Sequence, residues 1–274
     1  MKVSYQGEPG AYSEDAVREV FPGGEAVPCE TVRAAFGKVT GGDVDFGVVP
    51  LENSQAGSIN ETYDLLGRDE HELKIVGEVI VRVDHALLGL PGAIVEGLER
   101  IFSHPQALAQ CDEFLAGLSA DIVPVLDTAG AARRVAEEGD PKQGAIASTR
   151  AAELLGVEVL AERIQNYDDN FTKFAVIGSS DPGFEPANKT SIVFAVADRP
   201  GSLFACLEPY AKRDINLTKL ESRPRPGAPF EYLFYMDLEA AAEEPGTQEV
   251  LDEMRRHSSM LKILGSYPRW NEGR

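Results

Sequence analysis

Short apolar strands alternate with amphipathic helices over about the first 180 residues, and this pattern constrains the fold more than any other. Residues 3–5 predict a strand, and Ser13 is the expected N-cap of the helix that follows. A second helix is expected to start at Thr31, and residues 46–49 predict another apolar strand. Because alternating strands and helices form mostly parallel sheets, this part of the chain is predicted to be α/β.

Ligands of parallel sheets bind beyond the carboxyl ends of the strands. Polar segments stand at two such ends, residues 50–54 and residues 103–106. Pro105 fits the first turn of a helix, which we expect to continue through Leu115. A long β-like run over residues 75–84 separates this region from the first, so we expect two similar α/β lobes that enclose a cleft.

The last third of the chain has a different pattern. Residues 179–188 are rich in turn formers and predict a linker. A strand, a helix, two strands, a helix and a strand are then expected, at about residues 191–197, 202–210, 216–222, 230–238, 250–254 and 261–266. This βαββαβ order is ferredoxin-like, and a small sheet of this kind often pairs with another copy.

Composition excludes several kinds of partner. The chain has 45 acidic and 26 basic residues, and its net charge of −19 repels nucleic acids and anionic membranes. An anion site in such a protein is expected to be locally cationic. The three cysteines and four histidines do not have the spacing of a disulfide framework or a metal site, so we expect no metal and no cofactor. Without a signal peptide or an apolar run of about 20 residues, a cytoplasmic protein is expected.

Polar residues crowd the stretch 166–173, and an apolar strand over residues 173–178 follows at once. The amide of Asn170, the hydroxyl of Thr172 and the cation of Lys173 therefore stand together at the edge of a buried element. A rigid strand holds side chains more accurately than a loop does. This combination favours a site for a small anion.

Several motifs in this sequence occur together in one enzyme family. They are residues 7–13, 49–54, 57–60, 103–106, 170–174 and 221–224, together with the stretch 201–204. In this order, they resemble the prephenate dehydratase family over essentially the whole chain. Residues 201–204 stand where that family has a Gly-Ala-Leu-Val-like motif, and Glu221-Ser222-Arg223-Pro224 matches its Glu-Ser-Arg-Pro motif in full.

The resemblance implies a lyase that converts prephenate to phenylpyruvate, with loss of water and carbon dioxide, in phenylalanine biosynthesis. It implies a two-lobed catalytic domain like the periplasmic binding proteins over residues 1–180. One lobe would comprise about residues 1–77 with 165–180, and the other residues 78–164. Residues 189–274 would form an ACT regulatory domain. No chorismate mutase segment precedes the first strand, so a monofunctional enzyme is expected.

By the same resemblance, eight residues form the active site. The catalytic residues would be Thr172, Lys173, Asn53 and Ser54, and the substrate-binding residues would be Ser103, Gln106, Asn170 and Phe171. Thr172 would donate a hydrogen bond to the leaving oxygen. Lys173 departs from the arginine of the family's Thr-Arg-Phe motif, so the charge is kept but the two-pronged geometry is lost. We favour structural roles for Glu52 and His104 over acid catalysis.

The resemblance also implies feedback inhibition by L-phenylalanine. The effector-binding residues would be Gly201, Ser202, Leu203, Asn216, Glu221, Ser222 and Arg223. The effector would bind where two such domains meet, in a homo-oligomer that is a dimer or a tetramer.

Two alternatives stay open. The first keeps the chemistry but uses arogenate, whose side chain carries an amine. The second is a non-catalytic amino-acid sensor that only binds in the cleft, and such a protein would not need the hydroxyl of Thr172.

Overall fold

The computed structural model describes residues 1–68, 72–184, 186–225, 227–228 and 230–269. The chain packs into two compact units, the first formed by Met1–Thr62 and Val79–Phe174 and the second by Tyr63–Glu78 and Ala175–Arg274. The predicted linker and the proline-rich loop after Arg223 both include positions outside the described residues. Packing does not define functional domains, so the predicted boundary between residues 180 and 189 stays a prediction.

The strands, in chain order, are β1 (Lys2–Gln6), β2 (Glu25–Cys29), β3 (Phe46–Asn53), β4 (Gly57–Ser58), β5 (Lys74–Arg82), β6 (Ala86–Gly89), β7 (Arg100–Ser103), β8 (Asp121–Pro124), β9 (Gln143–Ala147), β10 (Glu158–Ala161), β11 (Phe171–Gly178), β12 (Lys189–Ala195), β13 (Leu217–Pro224), β14 (Tyr232–Leu238) and β15 (Met260–Tyr267). The α-helices are α1 (Tyr12–Val20), α2 (Val32–Thr40), α3 (Asn60–Gly67), α4 (Pro105–Gln110), α5 (Asp112–Leu115), α6 (Thr128–Glu138), α7 (Thr149–Leu155), α8 (Ser202–Ala211) and α9 (Pro245–His257). Within the described residues, no helix combines the length and the apolar character needed to cross a membrane.

The first sheet has the order β2-β1-β3-β11-β5, and the short strand β4 pairs with β3. Strand β1 runs parallel to both β2 and β3, which confirms the predicted parallel arrangement for these strands. The helices α1 and α2 bury apolar residues at helical spacing, among them Val17 and Phe36. This sheet places the carboxyl end of β3, with Asn53, beside β11.

The second sheet lies within the first unit and has the order β10-β6-β9-β7-β8. Strand β7 is parallel to β8 and β9, whereas β6 is antiparallel to β9 and β10. Adjacent residues of a strand point to opposite faces, so Leu87 and Leu88 belong to different apolar clusters. Leu88 packs with residues of α6 and α7, and Leu87 packs with residues of α4 and α5. Helices therefore cover both faces, as the α/β prediction requires.

Two local predictions were wrong. The N-cap of α1 is Ala11, not Ser13, and its side chain makes no capping hydrogen bond. Ser13 lies inside the first turn of α1. The carboxylate of Glu14 accepts a hydrogen bond from the backbone N–H of Gly10 at 2.7 Å, and this bond fixes the loop before the helix. The helix expected from Pro105 to Leu115 is also interrupted, because Cys111 leaves helical geometry between α4 and α5.

The second unit contains a four-stranded antiparallel sheet with the order β13-β14-β12-β15. The predicted βαββαβ order is confirmed, and the sheet order agrees with a ferredoxin-like topology. Cys206 and Tyr210 of α8 and Met254 of α9 join one apolar cluster with strand residues such as Ile192. Tyr63 belongs to this unit as well, because its ring packs edge-on against Tyr235 with a centroid distance of 5.1 Å.

A buried ion cluster lies in the second unit. The ammonium group of Lys189 is 2.7 Å from a carboxylate oxygen of Glu78 and 2.9 Å from one of Asp237. The hydroxyl of Ser191 donates its one proton to Asp237 at 2.5 Å and therefore accepts from the Tyr267 hydroxyl at 2.6 Å. Burial by itself lowers the pKa of Lys189, but the two carboxylates outweigh it and raise the pKa above its ordinary value.

Removing the cation from this cluster is expected to be costly. Lys189→Met leaves two carboxylates buried together without their shared counterion, so the free energy of unfolding should fall by about 3–5 kcal/mol. Urea unfolding measures it. The matched control is Lys212→Met, because Lys212, the C-cap of α8, forms an exposed pair with Glu208 that should contribute nothing measurable. Equal stabilities for the two variants would contradict this prediction.

Candidate functional site

A cavity of about 460 Å³ lies in the first unit. Residues at the start of α1, α2, α3 and α6 line it, represented by Tyr12, Val32, Glu61 and Thr128. Further lining residues come from the ends of β3 and β11 and from α4. The first sheet and the helices of the second sheet therefore both contribute to the wall, as the prediction of a cleft between two lobes requires.

Several helices begin at the wall of this cavity. Helix N-termini have free N–H donors and a partial positive charge, so several of them around one cavity favour an anion. Among the described residues, the lining includes no lysine or arginine, whereas it includes the carboxylates of Glu30, Glu61 and Asp127. The predicted local cation is therefore not supplied by side chains of the described lining.

The side chain of Asn53 has a fixed orientation. Its oxygen Oδ1 accepts hydrogen bonds from the backbone N–H groups of Gln55 at 3.1 Å and Ala56 at 3.0 Å. Since backbone N–H groups only donate, these bonds identify which end of the amide is the oxygen. The amide nitrogen Nδ2 must then face the opposite side, where it donates toward Asn170 Oδ1 at 2.8 Å and Thr172 Oγ1 at 3.0 Å.

The hydroxyl of Thr172 accepts a hydrogen bond and keeps its own proton available. Within the described part of the chain, the Asn53 amide is its hydrogen-bond partner, and that amide nitrogen has no lone pair to accept with. Thr172 lines the cavity and is held by strand β11. Its O–H group can therefore donate to an oxygen of a molecule bound in the cavity.

A chain of hydrogen bonds continues behind Asn53. Asn170 accepts from Asn53, and its own nitrogen Nδ2 donates to Gln110 Oε1 at 3.1 Å. The same oxygen of Gln110 is 2.9 Å from Nε2 of His85. On the other side of the ring, Nδ1 of His85 is 3.2 Å from the Tyr12 hydroxyl. All five side chains belong to the first unit, and four of them line the cavity.

Burial favours the neutral form of the two histidines in the described lining. Burial lowers the pKa of His85, although its hydrogen bond to Gln110 and the nearby Asp84 act in the opposite direction. Burial also lowers the pKa of His104, despite the charge of Asp127. His104 is the N-cap of α4, and its Nδ1 accepts from the backbone N–H of Gln106 at 3.2 Å. These features fit the structural role expected for His104.

The structure brings together half of the predicted active-site residues. Asn53, Thr172 and Gln106 line the cavity, and Asn170 is hydrogen-bonded to Asn53 behind it. Gln106 Nε2 is 3.4 Å from Asn53 Oδ1, a long hydrogen bond that adds little to the orientation of Asn53.

Lys173 and Phe171 are not part of the described lining. Side chains alternate along a strand, so the residues on either side of Thr172 point away from the cavity that Thr172 and Phe174 face. The ammonium group of Lys173 lies 3.9 Å from a carboxylate oxygen of Glu52. Phe171 is partly exposed, at 38% of its accessible surface.

Ser54 and Ser103 have structural hydrogen bonds instead of cavity positions. The hydroxyl of Ser54 donates to the carbonyl oxygen of Asp169 at 2.7 Å and accepts from the N–H of Phe171 at 2.9 Å. The hydroxyl of Ser103 is fully buried and donates to the carbonyl oxygen of Ile146 at 2.7 Å. Both serines hold neighbouring backbone, and neither belongs to the described lining of the cavity.

Sequence reasoning missed Gln110, His85 and Tyr12. One signal was available for Gln110, because it follows Gln106 by four residues and so shares its helix face. His85 follows strand β5, but its partners Gln110 and Tyr12 come from distant parts of the chain. Long-range contacts of this kind leave no pattern in a single sequence.

A second cavity, of about 740 Å³, lies in the second unit. The predicted effector residues Gly201, Ser202 and Leu203 line it, and so do aromatic side chains that include Phe230 and Tyr232. Gly201 has a φ of +83°, which glycine adopts without strain, and it is the N-cap of α8. The hydroxyl of Ser202 is buried there and, within the described residues, has no hydrogen-bond partner.

The other predicted effector residues do not line this cavity in the described structure. Asn216 donates to Glu239 at 2.7 Å, and Glu221 is 3.0 Å from the ammonium group of Lys219. Arg223 is 3.2 Å from a carboxylate oxygen of Asp64. Ser222 belongs to β13, the edge strand that also carries Glu221 and Arg223, so these residues are separated from Gly201 within one chain.

Known proteins match this chain in both sequence and structure. The chain matches the family model of prephenate dehydratase over residues 3–182. The arogenate dehydratase/prephenate dehydratase 2 of Arabidopsis thaliana, described as chloroplastic, is 44% identical over 279 residues, which cover 98% of this chain and 73% of that protein.

Two solved structures are similar over almost the whole chain. A protein described as GqqA, a novel type of quorum quenching acylase, is 37% identical, with a TM-score of 0.89 and 98% of each chain covered. A prephenate dehydratase from Arthrobacter aurescens, in complex with L-Phe, is 31% identical with a TM-score of 0.89, and the alignment covers 98% of this chain and 90% of that one.

Proposed function

We propose that this chain, which belongs to the prephenate dehydratase family, converts prephenate to phenylpyruvate with loss of water and carbon dioxide. The observation that carries this proposal is the hydroxyl of Thr172, which accepts from the fixed amide of Asn53 and has its proton free for an oxygen in the cavity. Such a donor is what the departing ring hydroxyl needs.

The expected chemistry asks little of the protein beyond orientation. Aromatisation of the ring drives the reaction. The ring carboxylate leaves as carbon dioxide, and the hydroxyl takes up one proton from solvent and leaves as water. A threonine hydroxyl has too high a pKa to act alone as an efficient general acid, so Thr172 would stabilise the leaving oxygen by hydrogen bonding. The helix N-termini around the cavity would hold the carboxylates of the substrate.

Arogenate is the second candidate substrate, and one feature of the cavity, the charge of its lining side chains, favours it over prephenate. Arogenate carries an ammonium group where prephenate has a keto group, so its net negative charge is smaller. The described lining has the carboxylates of Glu30, Glu61 and Asp127 and no side-chain cation, which favours the substrate with the ammonium group. The Arabidopsis thaliana relative is named for both activities.

Comparing the two substrates directly tests this proposal. The purified protein is incubated with each, and phenylpyruvate from prephenate or phenylalanine from arogenate is measured over a range of substrate concentrations. A higher kcat/KM for prephenate supports the first candidate, and a higher kcat/KM for arogenate supports the second. Binding of both without turnover would favour an amino-acid sensor.

The similarity to a quorum quenching acylase does not support acyl transfer as a second reaction at this site. Acyl transfer by a hydroxyl needs a neighbouring base to remove its proton. The partner of the Thr172 hydroxyl is the Asn53 amide, which donates and is not a base. An acylated compound is therefore a useful negative control substrate, and its hydrolysis would point to a different use of the cavity.

We further propose that the second unit is an ACT regulatory domain that binds L-phenylalanine. Aromatic walls suit a phenyl ring, and Arg199 and Asp198 at the same cavity suit the carboxylate and the ammonium group of an amino acid. The Arthrobacter aurescens protein was solved with L-Phe bound. The buried hydroxyl of Ser202 would gain a partner when the ligand binds.

Ser202→Ala tests the effector site. The variant should need about tenfold more phenylalanine for half-inhibition, because the ligand loses one hydrogen bond in a buried site. Its free energy of unfolding without ligand should be equal or slightly higher, since an unpartnered hydroxyl is removed. Ser119→Ala, at an exposed serine of the first unit, is the control. An unchanged inhibition curve for Ser202→Ala would remove Ser202 from the effector site.

We also propose that the chain forms a homo-oligomer through the second unit. The edge strand β13 has an open side within the described sheet, and its Leu220 is exposed at 44% of its accessible surface. Phe230, in the loop between β13 and β14, is exposed at 90%. A partner that covers Asn216, Glu221, Ser222 or Arg223 would complete the effector site predicted at an interface. Light scattering after size-exclusion chromatography measures the mass, and a monomer at micromolar concentration would contradict this proposal.

A further inference from the structure

His85 is a buried side chain that no part of the reaction above uses. It is 3% exposed, and both of its ring nitrogens lie within hydrogen-bonding distance of a neighbour. Burial favours its neutral form, in which one nitrogen carries a proton and the other does not. Which nitrogen is protonated is determined by the partners of the ring.

Backbone N–H groups determine, link by link, which hydrogen-bonding atoms face the ring of His85. The N–H groups of Gln55 and Ala56 identify Oδ1 of Asn53, so its Nδ2 donates to Asn170. The accepting atom of Asn170 is then its oxygen, and its nitrogen faces Gln110. Gln110 must therefore present its oxygen to Asn170, and that same oxygen faces the ring of His85.

An oxygen without a proton requires a donor opposite it. Nε2 of His85 must therefore carry the proton, and it donates to Gln110 Oε1 over 2.9 Å. Nδ1 is left as an acceptor, 3.2 Å from the Tyr12 hydroxyl. That hydroxyl has one proton and a much closer acceptor in the carbonyl oxygen of Asp84, at 2.6 Å, so its bond to Nδ1 is the weaker one.

We infer that His85 is a positioning residue for the reaction of this cavity, acting through Gln110, Asn170 and Asn53 on the hydroxyl of Thr172. Its Nε2–H group holds the Gln110 oxygen in place, and this keeps the Asn170 amide in the orientation that accepts from Asn53. Asn53 in turn keeps the Thr172 proton directed at the cavity. His85 does not need to contact the substrate, and it transfers no proton. This inference rests on the proposed function.

Two variants of His85 separate this role from simple packing. In His85→Gln, the longer side chain can bring an amide N–H to the position of Nε2, so kcat should stay within about threefold of the wild-type value. In His85→Asn, the amide reaches only the position of Nδ1 and Gln110 loses its donor. There kcat should fall about tenfold or more while KM changes less than about twofold, because orientation and not binding is impaired.

Two further variants complete the kinetic experiment. Gln110→Leu should lower kcat as His85→Asn does, and the double variant should be no worse than the poorer single variant, because both act through one link. His257→Asn, at an exposed histidine of α9, should leave kcat unchanged. Wild-type kcat in His85→Asn, or equal losses in His85→Asn and His85→Gln, would overturn the positioning role while leaving the proposed function intact.

A spectroscopic readout does not depend on turnover. Nitrogen-15 chemical shifts of the histidine rings distinguish the two neutral tautomers, and His85→Asn identifies the signals of His85. The Nε2–H tautomer is expected at neutral pH, and the Nδ1–H tautomer would overturn the inferred hydrogen-bond order. No turnover of prephenate or arogenate by the wild type would instead reject the proposed function, and the positioning role with it.

Discussion

Thr172→Val is expected to lower kcat by about 100-fold or more while the protein stays folded. Valine keeps the β-branched shape that suits strand β11, so the main loss is the hydroxyl. The hydroxyl is the group that we propose stabilises the leaving oxygen, and a donor of this kind acts mainly in the transition state. The kinetics of product formation measure the loss, and KM should change much less than kcat.

The fold should tolerate this change because Asn53 has other acceptors. Its nitrogen Nδ2 also donates toward the carbonyl oxygen of Phe171 at 3.1 Å and toward Asn170 at 2.8 Å. Thr172→Ser is the matched control, since it keeps the hydroxyl and should retain activity within about tenfold. If Thr172→Val and Thr172→Ser had the same kcat, the hydroxyl would have no role in the reaction.

Asn53→Asp is expected to have the second large effect, on both activity and stability. The new carboxylate keeps an acceptor for the N–H groups of Gln55 and Ala56, but it replaces the donor Nδ2 with an oxygen. That oxygen would face Asn170 Oδ1 and the carbonyl oxygen of Phe171, which are acceptors too. A buried clash of acceptors of this kind should lower the free energy of unfolding by about 1–3 kcal/mol.

Activity should fall by about 100-fold in Asn53→Asp, for a reason linked to Thr172. The only way for the Thr172 hydroxyl to satisfy a carboxylate is to donate its proton to it, and the proton is then withdrawn from the cavity. Adding Thr172→Val to Asn53→Asp should therefore cost little more kcat than either change alone. If the double variant lost kcat by the product of the two single losses, the two residues would act independently.

The order of strands and helices could be predicted from the sequence because it depends on local periodicity. Buried strands have short apolar runs, and amphipathic helices have apolar residues every three to four positions. Both patterns are local, so they predict the α/β character of the first unit and the βαββαβ order of the second. The N-cap of α1 was mispredicted because Ala11 occupies that position and Ser13 lies inside the first turn, while Glu14 accepts from the backbone N–H of Gly10 before the helix.

The site could be predicted only in part. Asn53 and Thr172 stand in short motifs, but the position of Lys173 depends on which strand face turns toward the cavity, and no local pattern states that. The net charge of −19 led to the expectation of a local cation at the anion site, and this expectation assumed that a lysine or arginine side chain supplies the positive charge. Several helix N-termini instead lie at the described cavity, and their dipoles point positive charge toward it. This arrangement depends on how the helices pack, so no local sequence pattern predicts it.

The most direct test of the proposed function is to measure carbon dioxide and aromatic product together, with prephenate and with arogenate, for the purified wild type and for Thr172→Val. We predict that at least one substrate releases carbon dioxide and aromatic product in equal amounts, and that Thr172→Val loses both in parallel. Binding of these substrates without release of carbon dioxide from either would contradict the dehydratase assignment. Undiminished release by Thr172→Val would contradict the role of its hydroxyl.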